Sequence, residues 1–280
     1  MGDTNQLSVI TDEIGQDLGK VLDLIEPFCI SHVEIRKVWG RNIALYSDAE
    51  LDKLKETLES HNIRVSVVSG PLFKCFLPTS RFNNPKKKSF SRNADYNISL
   101  GDRLLEIAAA LNCDKVRIFA FFKGISPQKD SWDFVINQLQ TFVDKAKSGG
   151  KVAILENERG SFADTIENCL RIIDAIGDPA LQLVCDPGNY FAVKKNYLPA
   201  DYDAIFPHIG HVHVKDPARY LPFFGATFGV VGRGKMNWTG IIQHFQTQGY
   251  AGFYSLETHS VLNLQANSLQ SLANLQQMIQ

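Results

Sequence analysis

Glu156, Asp186, His213 and Glu257 stand at or near the ends of four consecutive β-rich segments, Val152–Glu156, Leu181–Asp186, Ile209–Val214 and Phe253–Glu257. Successive members are 30, 27 and 44 residues apart. Three carboxylates and an imidazole brought to one place repel one another unless a cation joins them. Oxygen donors with one imidazole suit Mn, Mg, Co or Zn. Four protein ligands leave an octahedral ion two positions for substrate oxygens. A single strand-end acid is readily explained as an ion-pair partner. Four at successive strand ends point instead to one divalent metal ion.

To share a site, these residues need a common rim. The sequence predicts four earlier strands, Ser8–Asp12, His32–Arg36, Arg64–Ser69 and Lys115–Ala120. Helical spacing runs over Leu18–Phe28, Asp48–Leu58, Ile98–Leu111, Trp132–Lys147, Ala163–Ile176, Trp238–Gln248 and Leu262–Ile279. The stretch from Tyr197 to Phe206 has room only for a helical turn, and Pro71 to Asn93 reads as a long loop. Regular alternation of strand and helix implies a parallel sheet covered by helices. Eight repeats favour a closed (β/α)8 TIM barrel of the α/β class. Such a barrel takes about 250 residues and carries its active site at the C-terminal ends of its strands, with one unit every ~30 residues. The 280 residues would then form a single domain spanning 1–280. Two domains of ~140 residues would also fit the length. No GxGxxG follows the first strand, which removes the main signal for an open dinucleotide-binding sheet.

Lys and Arg total 29 against 30 Asp and Glu, so the chain offers no general attraction for phosphate backbones. Lys86, Lys87 and Lys88 read as a solvated loop. Five scattered cysteines without a CxxC pair suit a reducing cytoplasm. Neither a secretory leader nor a membrane-length apolar run is evident. Nucleic acid and membrane are therefore not expected as partners, and a cytoplasmic location is.

The residues around these segments resemble the xylose isomerase-like TIM barrels of sugar phosphate isomerases and epimerases, in the AP endonuclease family 2 superfamily. The resemblance lies in Thr11-Asp12-Glu13-Ile14, His32-Val33-Glu34-Ile35-Arg36, Ile154-Leu155-Glu156-Asn157 and Asp186-Pro187-Gly188-Asn189. It continues in Gly210-His211-Val212-His213-Val214-Lys215-Asp216, in Gly232-Arg233-Gly234 with Trp238, and in Ser255-Leu256-Glu257. Each motif is common alone; their order over nearly the whole chain is specific. The resemblance implies a metal held by Glu156, Asp186, His213 and Glu257. It also implies that Glu156 and Glu257 act as acid and base on opposite sides of a substrate, through an enediolate. Arg219 matches a substrate-contacting Arg. Asn189 stands where the epimerases place a substrate-binding His, and it can bond a hydroxyl but cannot exchange a proton. Phe162 stands where that branch has a further Glu.

Other residues qualify by position. His211 and Lys215 share the strand face of His213. His211 suits a deeper, supporting layer or a ligand role, and Lys215 a substrate oxygen or a strand-end acid such as Glu34. Glu34 and Arg36, followed by Trp39, could wall a sugar pocket, or Trp39 could cover the barrel end. Arg159 suits substrate or a surface ion pair. Gly232-Arg233-Gly234-Lys235 could cradle phosphate. The aromatic Tyr220 to Gly229 loop suits a lid or a contact in a homo-oligomer.

These features predict a metal-dependent isomerase or epimerase of a small sugar, sugar phosphate or polyol. An inosose dehydratase-like lyase shares the first half of that chemistry. An AP endonuclease-like repair enzyme would need more histidines at the strand ends, where Asp12, Glu34 and Ser69 stand. A non-catalytic binding protein would keep the site's shape without needing a metal.

Overall fold

The computed structural model describes residues 6–125, 130–193, 197–221 and 225–280. Eight parallel strands make one sheet. They are β1 (Leu7–Val9), β2 (His32–Ile35), β3 (Arg64–Val68), β4 (Lys115–Ile118), β5 (Val152–Glu156), β6 (Leu181–Cys185), β7 (Ile209–Val214) and β8 (Tyr254–Leu256). Their order is β1-β8-β7-β6-β5-β4-β3-β2. The outer pair, β1 and β2, meet through a parallel bridge between Ile10 and Glu34, which closes the sheet into a barrel.

Helices Leu18–Ile25, Asp48–Ser60, Gly101–Ala110, Ser131–Ser148, Ile166–Ile176, Trp238–Thr247 and Leu264–Ile279 cover the barrel. Between β6 and β7 lie the short helix Pro187–Ala192 and two 3-10 turns, Pro199–Ala204 and Phe206–His208. This agrees with the short turn expected there. Local chemistry sets several of these boundaries. Ser47 and Glu50 form a reciprocal capping box on the second helix, and Gly177, at φ 62°, ends the fifth in the left-handed conformation.

Two features of the strands position the site. First, Thr11–Glu13 forms a 3-10 turn rather than continuing β1, which leaves Asp12 and Glu13 buried beside Arg36 of the β2 end. Second, β7 is bulged against β6: Leu183 pairs with Ile209 and Val184 with His211, so Gly210 is the extra residue. A Cβ on Gly210 would lie 2.1 Å from the Gln182 side-chain oxygen, so any larger residue there would have to push that side chain aside. From His211 onward, alternate residues enter the barrel. Its interior holds a small apolar cluster of Val67, Ile154 and Val184, separate from the core between sheet and helices. Among these same strands stand the buried polar residues Glu34, Arg117, His211 and His213.

Two antiparallel ribbons extend beyond the strands, Lys37–Val38 with Arg41–Asn42 and Asp216–Leu221 with Gly225–Gly229. The aromatic stretch read as a loop is therefore a hairpin, and Phe223 and Phe224 lie outside the described residues. Lys86, Lys87 and Lys88 are exposed in the loop after β3. Cys29 is exposed, while the other four thiols are free and buried. Among the described residues, no helix is long and apolar enough to cross a membrane.

Candidate metal centre

Glu156, Asp186, His213 and Glu257 converge. Each offers one ligand atom, and the four atoms lie within 4.8 Å of one another. His213 Nδ1 is 3.6 Å from Glu156 Oε1, 3.9 Å from Asp186 Oδ2 and 3.6 Å from Glu257 Oε2. All four side chains are buried, at 0–3% exposure. Glu156 Oε2, Asp186 Oδ2 and His213 Nδ1 accept or donate no hydrogen bond. Buried polar atoms are rarely left so. Glu156 Oε2 does face the Arg117 guanidinium at 3.1 Å and Asp186 Oδ2 the Lys215 ammonium at 2.7 Å, but His213 Nδ1 faces only carboxylate oxygens, and one imidazole nitrogen among three carboxylates is a donor set that fits a divalent cation.

Each side chain is aimed by its neighbours. Asn157 grips Asp186 through both backbone groups: its Oδ1 accepts the Asp186 N–H at 2.8 Å and its Nδ2 donates to the Asp186 carbonyl at 2.9 Å. Asp186 also caps the helix Pro187–Ala192, its Oδ1 accepting the Asn189 N–H at 2.9 Å, which leaves Oδ2 for the centre. The Asn189 amide donates to Glu156 Oε1 at 3.2 Å. Arg36 Nη1, at 2.6 Å, and His259 Nε2, at 3.3 Å, flank Glu257 Oε1, so that Oε2 faces His213. His213 Nε2 donates to the Glu34 carboxylate at 3.0–3.1 Å, so Nδ1 is the nitrogen turned to the centre. A second possible triad, Glu13, Glu257 and His259, is already bridged by the Arg36 guanidinium.

The charges follow from this packing. Burial alone would raise Glu156, but Arg117 and His213 bring it down to about 2. Burial raises Asp186 to about 6 despite Lys215. Burial would lower His213, yet Glu34 and Glu156 lift it to about 10. His211, desolvated and only partly compensated by Glu34, falls to about 4. Glu34 stays well below the usual carboxylate range, its burial outweighed by the two histidines.

Above the four residues is a cavity of about 250 Å³, lined in part by Lys74, Arg159, Asn189, Lys215, Phe228 and His259. Asn189 and Lys215 are both in the cavity wall. The Lys215 ammonium, however, lies on Asp186 and Glu257, at 2.7 Å from each, and not on Glu34. Glu34 is 0% exposed and bonded to Ser69, His211 and His213, so it supports the site from below and no substrate reaches it. His211, also 0% exposed, belongs to the same supporting layer. Trp39 does not line the cavity. It stacks on Tyr46 at 6.2 Å, with the Lys53 ammonium 4.6 Å over its ring, because the ribbon turn at Trp39 and Gly40 has positive φ and leads the indole aside. Arg219 is exposed on the hairpin and likewise does not line the cavity.

The turn at Gly232–Lys235, which the sequence offered as a place that could cradle phosphate, has its N–H groups occupied from within. Asp216 accepts the N–H groups of Gly232, Gly234 and Met236 at 2.9–3.1 Å. Sequence reading missed Arg117, although an Arg alternating between Val116 and Ile118 in a buried strand is a visible signal of an inward charge. His259 was also missed. It follows the last strand, where strand periodicity no longer applies, and φ of 50° turns it toward Glu13 and Glu257.

The profile of the xylose isomerase-like TIM barrel family matches residues 30–278, and the chain belongs to that family. An inosose dehydratase from Geobacillus thermodenitrificans (strain NG80-2) is 20% identical over 244 residues, 82% of this chain and 80% of that protein. The crystal structure of the IOLI protein with a bound zinc atom superposes with a TM-score of 0.78 at 17% identity, covering 98% of each chain. The structure of an L-ribulose 3-epimerase superposes with a TM-score of 0.74 at 14% identity, covering 98% of this chain and 94% of that one.

Proposed function

We propose that this chain is a divalent-metal-dependent isomerase or epimerase of a small sugar, sugar phosphate or polyol. The carrying observation is the convergence of buried Glu156, Asp186, His213 and Glu257, whose ligand atoms lie within 4.8 Å of one another, with His213 Nδ1 left without a hydrogen bond, beneath a cavity of about 250 Å³. Glu156, Asp186, His213 and Glu257 would hold the ion. The chemistry a bound divalent ion supplies is polarisation of a carbonyl and a neighbouring hydroxyl, which favours loss of the proton between them.

The chain's own groups do the rest. Glu156, ionised through Arg117 and His213, is ready to accept a proton from the carbon beside the carbonyl. Glu257 comes from another strand and is braced by Arg36 and His259, so it meets the substrate from a different side. One carboxylate removes the proton and later releases it to solvent; the other, having taken a proton from solvent, delivers that proton to the carbon. Asn189 steadies Glu156 and has its amide at the cavity wall for a hydroxyl. Phe228 of the hairpin covers part of the same cavity and limits water.

A lyase is the second reading, favoured by the inosose dehydratase relative and by Asn189 standing in place of a proton-exchanging His. A sugar and inosose panel in deuterated water separates the two. Isomerisation or epimerisation gives an isomer carrying deuterium, whereas dehydration gives an unsaturated or keto product. Glu156→Gln and Glu257→Gln should each lower turnover at least a thousandfold while the circular dichroism stays unchanged. Activity retained in both would remove these residues from the chemistry.

A further inference from the structure

We propose that the Lys215 ammonium is a resident cation of the centre, and that it and a divalent ion are alternative occupants of the same two carboxylate oxygens. The inference rests on the metal reading above. Lys215 Nζ lies 2.7 Å from Asp186 Oδ2 and 2.7 Å from Glu257 Oε2. These are the oxygens that lie nearest His213 Nδ1 on those residues. The Glu257 contact is a formed hydrogen bond. The Asp186 contact is close but misaligned, since Asp186 Oδ2 still has no hydrogen-bond partner. The ammonium thus balances charge there without satisfying the oxygen, as a substitute for another cation would.

The two cations compete for these oxygens and repel one another. A divalent ion binds carboxylate oxygen at about 2.0–2.6 Å. An ion on the same two oxygens would then be held within roughly 5 Å of an ammonium that is itself 2.7 Å from each, in a buried pocket where little solvent screens the repulsion. The position is built, not incidental. Lys215 is 2% exposed, and its stem runs over Gly188, where an added Cβ would meet Lys215 Cγ at 2.6 Å. The ammonium also has somewhere to go, because Lys215 lines the cavity and its Nζ already lies 5.6 Å from the Phe228 ring. Dislodged by the metal, it becomes a donor facing a substrate oxygen. Loading the ion and arming the substrate pocket are then one movement.

The test uses metal-stripped full-length protein. Mn affinity is measured by calorimetry for wild type, Lys215→Met and Lys215→Arg. In parallel, the wild type is acetylated with and without Zn, and Lys215 labelling is read by mass spectrometry. Lys215→Met should bind Mn at least tenfold tighter than wild type, Lys215→Arg should not, and Zn should raise Lys215 labelling severalfold. An affinity in Lys215→Met equal to or weaker than wild type, or labelling that Zn leaves unchanged, overturns the inference. If Lys215→Met does not fold without metal, the wild-type labelling decides. Wild type that binds neither Mn nor Zn would instead sink the metal reading itself.

Discussion

At the scale of single residues, the centre depends on a carboxylate that never meets the substrate. Glu34 receives the N–H of His213 Nε2 and thereby fixes which imidazole nitrogen faces the ligand set. Partners of this kind typically govern metal affinity by 10- to 100-fold. Glu34→Gln, read by competition with a chromophoric chelator, should therefore weaken Zn binding by at least tenfold while the barrel still folds; unchanged affinity would show that His213 is oriented by packing alone. The four converging residues were legible in the sequence because strand ends are punctuated by composition, and four unusual residues fell on four of them. Glu34 was visible as a strand residue, but its depth was not. Whether an inward side chain reaches the mouth or stays below it depends on strand stagger, which periodicity does not encode. Trp39 was misplaced for a different reason: two positive-φ residues at a turn redirect a side chain without leaving a strong mark in the sequence.

At the scale of elements, Asp216 organises the passage from β7 to the next helix. Its carboxylate takes up three backbone N–H groups, and a Cβ on Gly234 would lie 2.1 Å from its Oδ1. Asp216→Ala removes three N–H bonds to a carboxylate and should cost roughly 1–3 kcal/mol, the freed donors being open enough for water to take up part of the loss. Thermal melting would show the loss, and hydrogen exchange should rise first at Gly232–Met236. A melt within a degree of wild type would refute this. All eight strands and most helices were legible from alternating periods and caps. The hairpin was not, because Pro217 and Pro222 within Asp216–Gly229 carry the signals of an irregular loop, and pairing across the turn overrides them.

At the scale of the whole molecule, burying two histidines against one carboxylate shapes stability against pH. The His211 imidazole is held neutral, down to about 4 from an ordinary 6.5. The unfolded chain therefore takes up the proton first, and stability present above pH 6.5 is lost as pH falls toward 4. For a group this buried the effect is on the order of 3 kcal/mol. Glu34, held below its ordinary range, acts in the same direction at more acid pH. Urea unfolding at pH 7 and pH 4.5 should show a smaller drop in His211→Gln than in wild type; equal drops would mean that His211 does not titrate between the two states.

The junction between the first and second strands has a consequence for chain connectivity. Ile10 and Glu34 make the bridge where the sheet's two ends meet, and Glu34 is also the residue that aims His213. Ring closure and imidazole alignment are thus mechanically one act. A circular permutant opened between β1 and β2 must re-form this bridge from strands no longer joined by a short connection, so it should bind Zn more weakly in a chelator competition than a permutant opened on the far side of the ring; equal affinities would separate the two roles of Glu34.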